Sequence, residues 1–290
     1  MDPRCLIDGI TPMSVMTDDM NFGQLEENRM TDATPSDHGT GVTPSPPLPP
    51  PVRADTNGSL LTYWQDRMGQ HVRDSYAGVR LMKFPEDLRT YEHALWLSRA
   101  QVVVELGTHS GGSALWFRDR LRTMASYGRI PEDVRVITLD LDQERARSAL
   151  AAADRFYAQQ VVLLEADLLD ASTAPLIAEH LPPGARCLVV EDSQHAHATT
   201  LAGLRHCASL VSPGSFYVVE DAVVDHPELC VHTRPPGPTG GVTWAVEEWF
   251  STPASAGFSR VPDMNPYGVS CKNIWLWREV ERQRVAPPAP

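Results

Sequence analysis

The chain has 290 residues, 42% of them hydrophobic, and carries 37 acidic against 25 basic side chains for a formal net charge of −12. That acidic surplus disfavours an extended nucleic-acid or anionic-membrane surface, because both need clustered cations. No run of about 18 apolar residues occurs, so nothing reads as a membrane span, and the N-terminus lacks the basic region and apolar block of a secretory signal. The five cysteines (Cys5, Cys187, Cys207, Cys230 and Cys271) are odd in number and have no paired metal-ligand spacing. They read as reduced thiols, and a cytoplasmic location is expected.

Residues 1–55 are rich in Asp, Glu, Thr, Ser and Pro and close on Thr43-Pro44-Ser45-Pro46-Pro47-Leu48-Pro49-Pro50-Pro51. Such a segment buries too little apolar area to offset its ordering entropy, so a disordered acidic, Pro-rich tail is expected, ending in a stiff spacer. The globular pattern is placed at 56–282, with 283–290 a second disordered tail. Leu60 to Met68 predicts a helix, and Pro85 to Ser98 another, with the proline at its start and Glu86 and Asp87 at its positive end. Strands are then predicted at 102–106, 135–140, 161–165, 187–191 and 215–220, alternating with helices near 112–126, 142–157, 173–180, 198–210 and 242–251. Short apolar strands separated by helices predict βαβ crossovers and a mostly parallel α/β sheet. Phe258 to Val261 and Asn273 to Trp277 read as a terminal strand pair.

The most telling stretch runs from Val102 through Glu105-Leu106-Gly107-Thr108-His109-Ser110-Gly111-Gly112-Ser113 to Leu115. An apolar strand ends in an acid, turns through glycines that let the backbone approach a ligand, and opens a helix with unpaired N–H groups. The spacing is neither a phosphate-cradling loop nor a good dinucleotide fingerprint. An acid before such a turn suits a nucleoside carrying positive charge, as in S-adenosylmethionine; a plain strand–turn–helix joint is the alternative.

In an open parallel sheet ligands bind beyond the carboxyl ends of the strands. Here the strands end in acid one after another: Glu105, Asp140, Glu165 with Asp167, Glu191 with Asp192, and Glu220 with Asp221. Asp140 either accepts both ribose hydroxyls or caps the helix starting near Asp142. Asp167 either recognises an adenine amine or caps the next turn. Asp192, Glu220 and Asp221 are oxygen donors from adjacent strand ends and suit Mg²⁺ or Mn²⁺; a solvated acidic rim is the other reading. His195, three residues after Asp192, hangs over the same place. It reads as a proton acceptor from a hydroxyl or as an ordinary loop histidine, and the pair His195/His197 also suits a metal.

Together, Glu105 through Ala114, Asp192-Ser193-Gln194-His195 and Ser212-Pro213-Gly214-Ser215-Phe216-Tyr217-Val218-Val219-Glu220-Asp221 resemble the cephalosporin hydroxylase/rhamnosyl O-methyltransferase family. Lys83 to Leu88, and Gly237-Pro238 followed by Ala245-Val246, fit its pattern too, so the likeness spans roughly 78–278. The resemblance implies a Rossmann-like, seven-stranded class I methyltransferase fold with an antiparallel C-terminal strand, bound S-adenosylmethionine, and Mg²⁺-assisted methyl transfer. The cofactor would then meet Glu105, Gly107, Thr108, His109, Ser110, Gly111, Ser113, Asp140 and Asp167. A more distant likeness to catechol-type O-methyltransferases puts metal on Asp192, Glu220 and Asp221 and the base at His195, where those enzymes usually carry lysine. A homo-oligomer is in keeping with the family.

The expected activity is therefore O-methylation of a small hydroxylated metabolite, a sugar or another natural-product group, without nucleic acid or membrane partners. The rival readings are N-methylation, a non-catalytic S-adenosylmethionine-binding subunit and, last, an oxygenase. Trp244, Trp249, Tyr267 and the Pro235-Pro236-Gly237-Pro238 loop read either as acceptor pocket or as core.

Overall fold

The structure is a computed structural model, and the residues it describes are 60–225, 241–262, 264 and 273–280. The expected tails, Cys5, Cys230, Cys271, Tyr267 and the 235–238 loop lie outside these. Among the described residues, no helix is long and apolar enough to cross a membrane.

The chain enters through α1 (Leu60–His71), a two-residue hairpin β1 (Ser75–Tyr76) and β2 (Val79–Arg80), and α2 (Pro85–Ser98). The sequence reading missed the hairpin, whose strands are too short to show a period. Its signal is the turn Ala77-Gly78, both at positive φ, the geometry that matches strand twist in tight hairpins. There follow β3 (Val102–Leu106), α3 (Gly112–Ser126), β4 (Arg135–Asp140), α4 (Glu144–Ala153), β5 (Val161–Glu165), α5 (Thr173–Ala178), β6 (Cys187–Glu191), α6 (His197–Cys207), β7 (Phe216–Val219), α7 (Val242–Phe250), β8 (Phe258–Arg260) and β9 (Ile274–Arg278). Four predicted strands coincide with the observed ones. Helix α4 is shorter than the predicted 142–157 because Asp154 takes an extended conformation, receives Arg118, and accepts the Phe156 N–H at 2.8 Å. A side chain that offers the backbone such an alternative ends helices.

The described strands of the main sheet run in the order β5-β4-β3-β6-β7-β9-β8. The first five are parallel, and β9 pairs antiparallel with both β7 and β8. Because both faces are covered, the parallel strands are continuously apolar rather than alternating. Val103, Val136, Leu188 and Val218 pack on one face with Leu115, Phe117 and Leu121 of α3 and with Tyr91 and Leu95 of α2. Val102, Val104, Leu106, Val189 and Val219 pack on the other with α6 and α7. Trp249 is fully buried in that second layer and is therefore core, whereas Trp244 is largely exposed. Cys187 and Cys207 are buried free thiols.

Strand β3 lies between β4 and β6, so sheet growth reverses direction here. A crevice opens beyond the carboxyl ends of β3 and β6 at this switch point, where doubly wound sheets bind ligands. Every strand-end residue of the sequence reading is carried to this rim or just beneath it.

Candidate active site

The turn after β3 is fixed by backbone contact. Gly107 has φ +116, and a Cβ placed there would lie 2.0 Å from the Asp192 carbonyl oxygen. Only glycine lets the ends of β3 and β6 meet this closely. Gly112 is equally constrained from the other side, since a Cβ there would fall 2.2 Å from the Arg80 carbonyl oxygen of the hairpin. The α3 N-terminus is thus clamped between sheet and lead-in.

Beneath the turn runs a chain of buried polar groups. The Gln143 side-chain amide donates to Thr108 Oγ1 (2.8 Å) and to the Leu164 carbonyl (2.9 Å). Thr108 Oγ1 lies 2.8 Å from Thr138 Oγ1, which donates to Glu105 Oε2 at 2.7 Å. The sequence offered one signal for this network: Thr138 interrupts the apolar run of β4. Glu105 is wholly buried. Burial raises its carboxyl to about 7, against the opposing pull of the Lys83 charge and the Ser113 and Thr138 hydroxyls. The expectation that Glu105 meets the ligand directly is not met. The two-residue strand period places it on the α3 face, under the turn, where it accepts from Thr138 and does not line the cleft.

Asp140 ends β4 at the cleft wall. Its Oδ2 accepts the Thr108 and His109 N–H groups at 3.2 and 3.0 Å, and its Oδ1 accepts the Leu141 N–H at 2.8 Å. It ties the turn and does not cap α4; that capping role falls to Asp142, which accepts the Glu144 N–H. Asp167 does cap, accepting the Leu169 N–H at 2.9 Å, and also lines the cleft. His109, at φ +48, is exposed, with Ser110 Oγ near its Nδ1 and Arg145 near its Nε2. Gly111 packs toward Leu150 and stands apart from the cleft. Glu165 pairs on the surface with Arg147.

The cleft has a volume of about 420 Å³. Gly107, Thr108, His109, Ser110 and Ser113 line it, with Asp140, Leu141 and the Ala166–Leu169 stretch. Asp192, His195 and Asp221 close one end, and His71, Arg80, Leu81 and Met82 add a wall that the sequence did not reveal. Met82, His109, His195 and Asp221 all have positive φ. Non-glycine residues held so cluster where surrounding structure over-determines them, typically at functional sites.

At that end, donor atoms of Asp192, His195 and Asp221 lie within 4.8 Å of one another. His195 Nε2 is 3.2 Å from Asp221 Oδ2 and 3.9 Å from Asp192 Oδ1, while its Nδ1 is buried without a partner. Burial pulls this imidazole down, but Asp221, Asp192 and Glu191 outweigh it and leave the pKa raised. Two carboxylates and one imidazole, with no thiolate, suit a hard or borderline divalent cation.

Glu220 departs from the expected cation set. Its Oε2 accepts from Lys83 Nζ at 2.8 Å and its Oε1 from the Tyr91 hydroxyl at 2.5 Å. Lys83 Nζ also reaches Asp192 Oδ2 at 2.6 Å. Burial, then the neighbouring Asp192 charge, push the Glu220 carboxyl well up, against Lys83. Lys83 and Tyr91 come from the lead-in before the sheet, and no spacing in the sequence links them to strand ends more than a hundred residues away.

The strand order and the cleft at its switch point define a class I methyltransferase fold. A solved CmcI structure described with Mg and SAM shares that fold with a TM-score of 0.51 at 23% identity, over 80% of this chain and 90% of that one. The family model "Rhamnosyl O-methyltransferase/CmcI" matches residues 69–262, and the chain belongs to that family. Rhamnosyl O-methyltransferase of Mycobacterium tuberculosis is 29% identical over 165 residues, covering 54% of this chain and 61% of that protein. Its counterpart in Mycobacterium leprae is 26% identical over 162 residues, covering 53% and 63%. The chain thus matches less than two thirds of the length of these curated relatives.

Proposed function

We propose that this protein transfers the methyl group of S-adenosylmethionine to a hydroxyl of a small metabolite, a sugar or another natural-product group, with Mg²⁺ at the rim. One observation carries the reading: the Gly107–Ser113 turn, Asp140 and the Asp192–His195–Asp221 group wall a single cleft. Support comes from the relatives named rhamnosyl O-methyltransferase, whose name specifies a sugar acceptor, and from the family's CmcI structure described with Mg and SAM.

Asp140 and Asp167 face the nucleoside, and the Ser110 and Ser113 side chains face its remaining polar atoms. Leu141 and Leu168 provide apolar walls. Asp192 and Asp221 would hold the cation. When bound, that cation acts as a Lewis acid that lowers the pKa of the acceptor hydroxyl. His195 is the proton acceptor. Its Nε2 lies 3.2 Å from Asp221 Oδ2 and 3.9 Å from Asp192 Oδ1, at the cation end of the cleft, where the acceptor hydroxyl would stand. In-line attack of the acceptor oxygen on the sulfonium methyl would form the O–C bond as the C–S bond breaks and S-adenosylhomocysteine leaves, with most of the acceleration coming from positioning.

Calorimetry with S-adenosylmethionine, with and without Mg²⁺, tests the cofactor half. Release of S-adenosylhomocysteine in the presence of rhamnosyl acceptors, and its suppression by EDTA, tests the rest. A folded protein that binds no S-adenosylmethionine would overturn the reading.

A further inference from the structure

Lys83 sits between the hairpin and α2, and its neighbours drive it inward. Met82 turns the chain at φ +56, Leu81 and Phe84 are buried on either side, and the Phe84 ring stacks on His71 at 4.4 Å. The Lys83 side chain is 1% exposed. Its ammonium contacts Asp192 Oδ2 and Glu220 Oε2 at 2.6 and 2.8 Å, and Glu105 adds to the surrounding negative charge. The other oxygens of these two partners point elsewhere. Asp192 Oδ1 faces His195 and Glu220 Oε1 accepts from Tyr91. Asp192 is therefore shared between a lysine and the candidate cation group, and Glu220 is held back from that group.

A buried ammonium is tolerated only when paired, and here both partners are carboxylates at the rim. We propose that Lys83 is a resident counter-cation that competes with the divalent ion for Asp192 and Glu220, and so sets how tightly the site holds metal. This rests on the reading that the rim binds a divalent cation. Lysine suits the task because its charge is compact and lies on a flexible stem, so it can withdraw from a carboxylate. A second cation entering beside Asp192 meets the repulsion of that charge and finds one Asp192 oxygen and both Glu220 oxygens already engaged.

The test uses the full chain, stripped with chelator, and Mn²⁺ followed by electron paramagnetic resonance. Lys83→Met should bind Mn²⁺ about tenfold tighter than wild type, because a like charge is gone and two carboxylates are released. Its melting temperature should fall without Mn²⁺ and recover when the ion is added. Lys83→Arg should stay close to wild type. A purely structural lysine predicts the opposite for the first variant, a binding constant unchanged or weakened. If Lys83→Met does not fold, the paired variant Lys83→Met/Glu220→Gln removes both charges together, and it should bind Mn²⁺ more tightly than Glu220→Gln alone. A wild type that binds Mn²⁺ and a Lys83→Met that binds it no better would overturn the competition alone. Absence of Mn²⁺ binding in wild type and all variants would overturn the cation reading itself, and the competition with it.

Discussion

Gly107→Ala is the sharpest test of how the rim is built. At φ +116 an alanine would occupy backbone space that L-residues avoid, a strain of about 1–3 kcal/mol. Its Cβ would also lie 2.0 Å from the Asp192 carbonyl oxygen and 2.7 Å from the carbonyl carbon, backbone atoms that move only if β3 and β6 part. Overpacking of this kind adds about 1–3 kcal/mol, so the total loss should fall near 2–6 kcal/mol. Gly78→Ala provides the control. It too sits at positive φ, +82, but nothing lies within 4 Å of its added Cβ, so it should show strain without collision. Urea unfolding of both variants gives the two stabilities. Calorimetry with S-adenosylmethionine then reports whether displacing Asp192 and the turn also disrupts the cleft. If Gly107→Ala lost no more stability than Gly78→Ala, the close approach of the two strand ends would not be what demands glycine there.

Asp140→Ala should weaken S-adenosylmethionine binding by about 1.5–3 kcal/mol, since it removes a charged acceptor and frees the two turn N–H groups it holds; unchanged affinity by calorimetry would remove Asp140 from the cofactor site. Asp221→Asn should lose Mn²⁺ binding while sparing S-adenosylmethionine binding, because the turn and Asp140 are untouched; retention of Mn²⁺ would contradict its role as a ligand. His195→Ala should lower methyl transfer about 10²–10⁴-fold, the usual contribution of a general base, and normal turnover would make the histidine a bystander. Glu105 gives a stability prediction with a definite sign. Its folded pKa of about 7 lies above the ordinary 4.5, so the folded state holds the proton more tightly. The stability this contributes is complete below pH 4.5 and lost as pH rises to about 7, by about 3 kcal/mol in all. Glu105→Gln should flatten that part of the pH–stability curve, and an unchanged slope would show that Glu105 is not the titrating group.

The sequence determined the sheet and most of its boundaries. Strands covered on both faces must be apolar throughout, so β3, β4, β5 and β6 stand out as short hydrophobic runs. It also placed Asp140, Asp192 and Asp221 on one rim, because a parallel sheet carries all its strand ends to the same side. What it left open was how those acids divide the work. Glu105 and Asp140 look alike in the chain and fall on the same face of the sheet, yet the register sets Glu105 opposite Thr138, buried under the turn, and carries Asp140 two residues further, to the wall. Glu220 and Asp221 are neighbours, yet one is bonded to Lys83 and Tyr91 while the other faces His195. The Glu220 assignment depends on contacts across more than a hundred residues, between a lead-in with no strong periodicity and the far end of β7. Local pattern records which residues share a face of one element. Only folding brings the lysine of one segment against the carboxylates of two others, and only there does burial make their charges answer to one another.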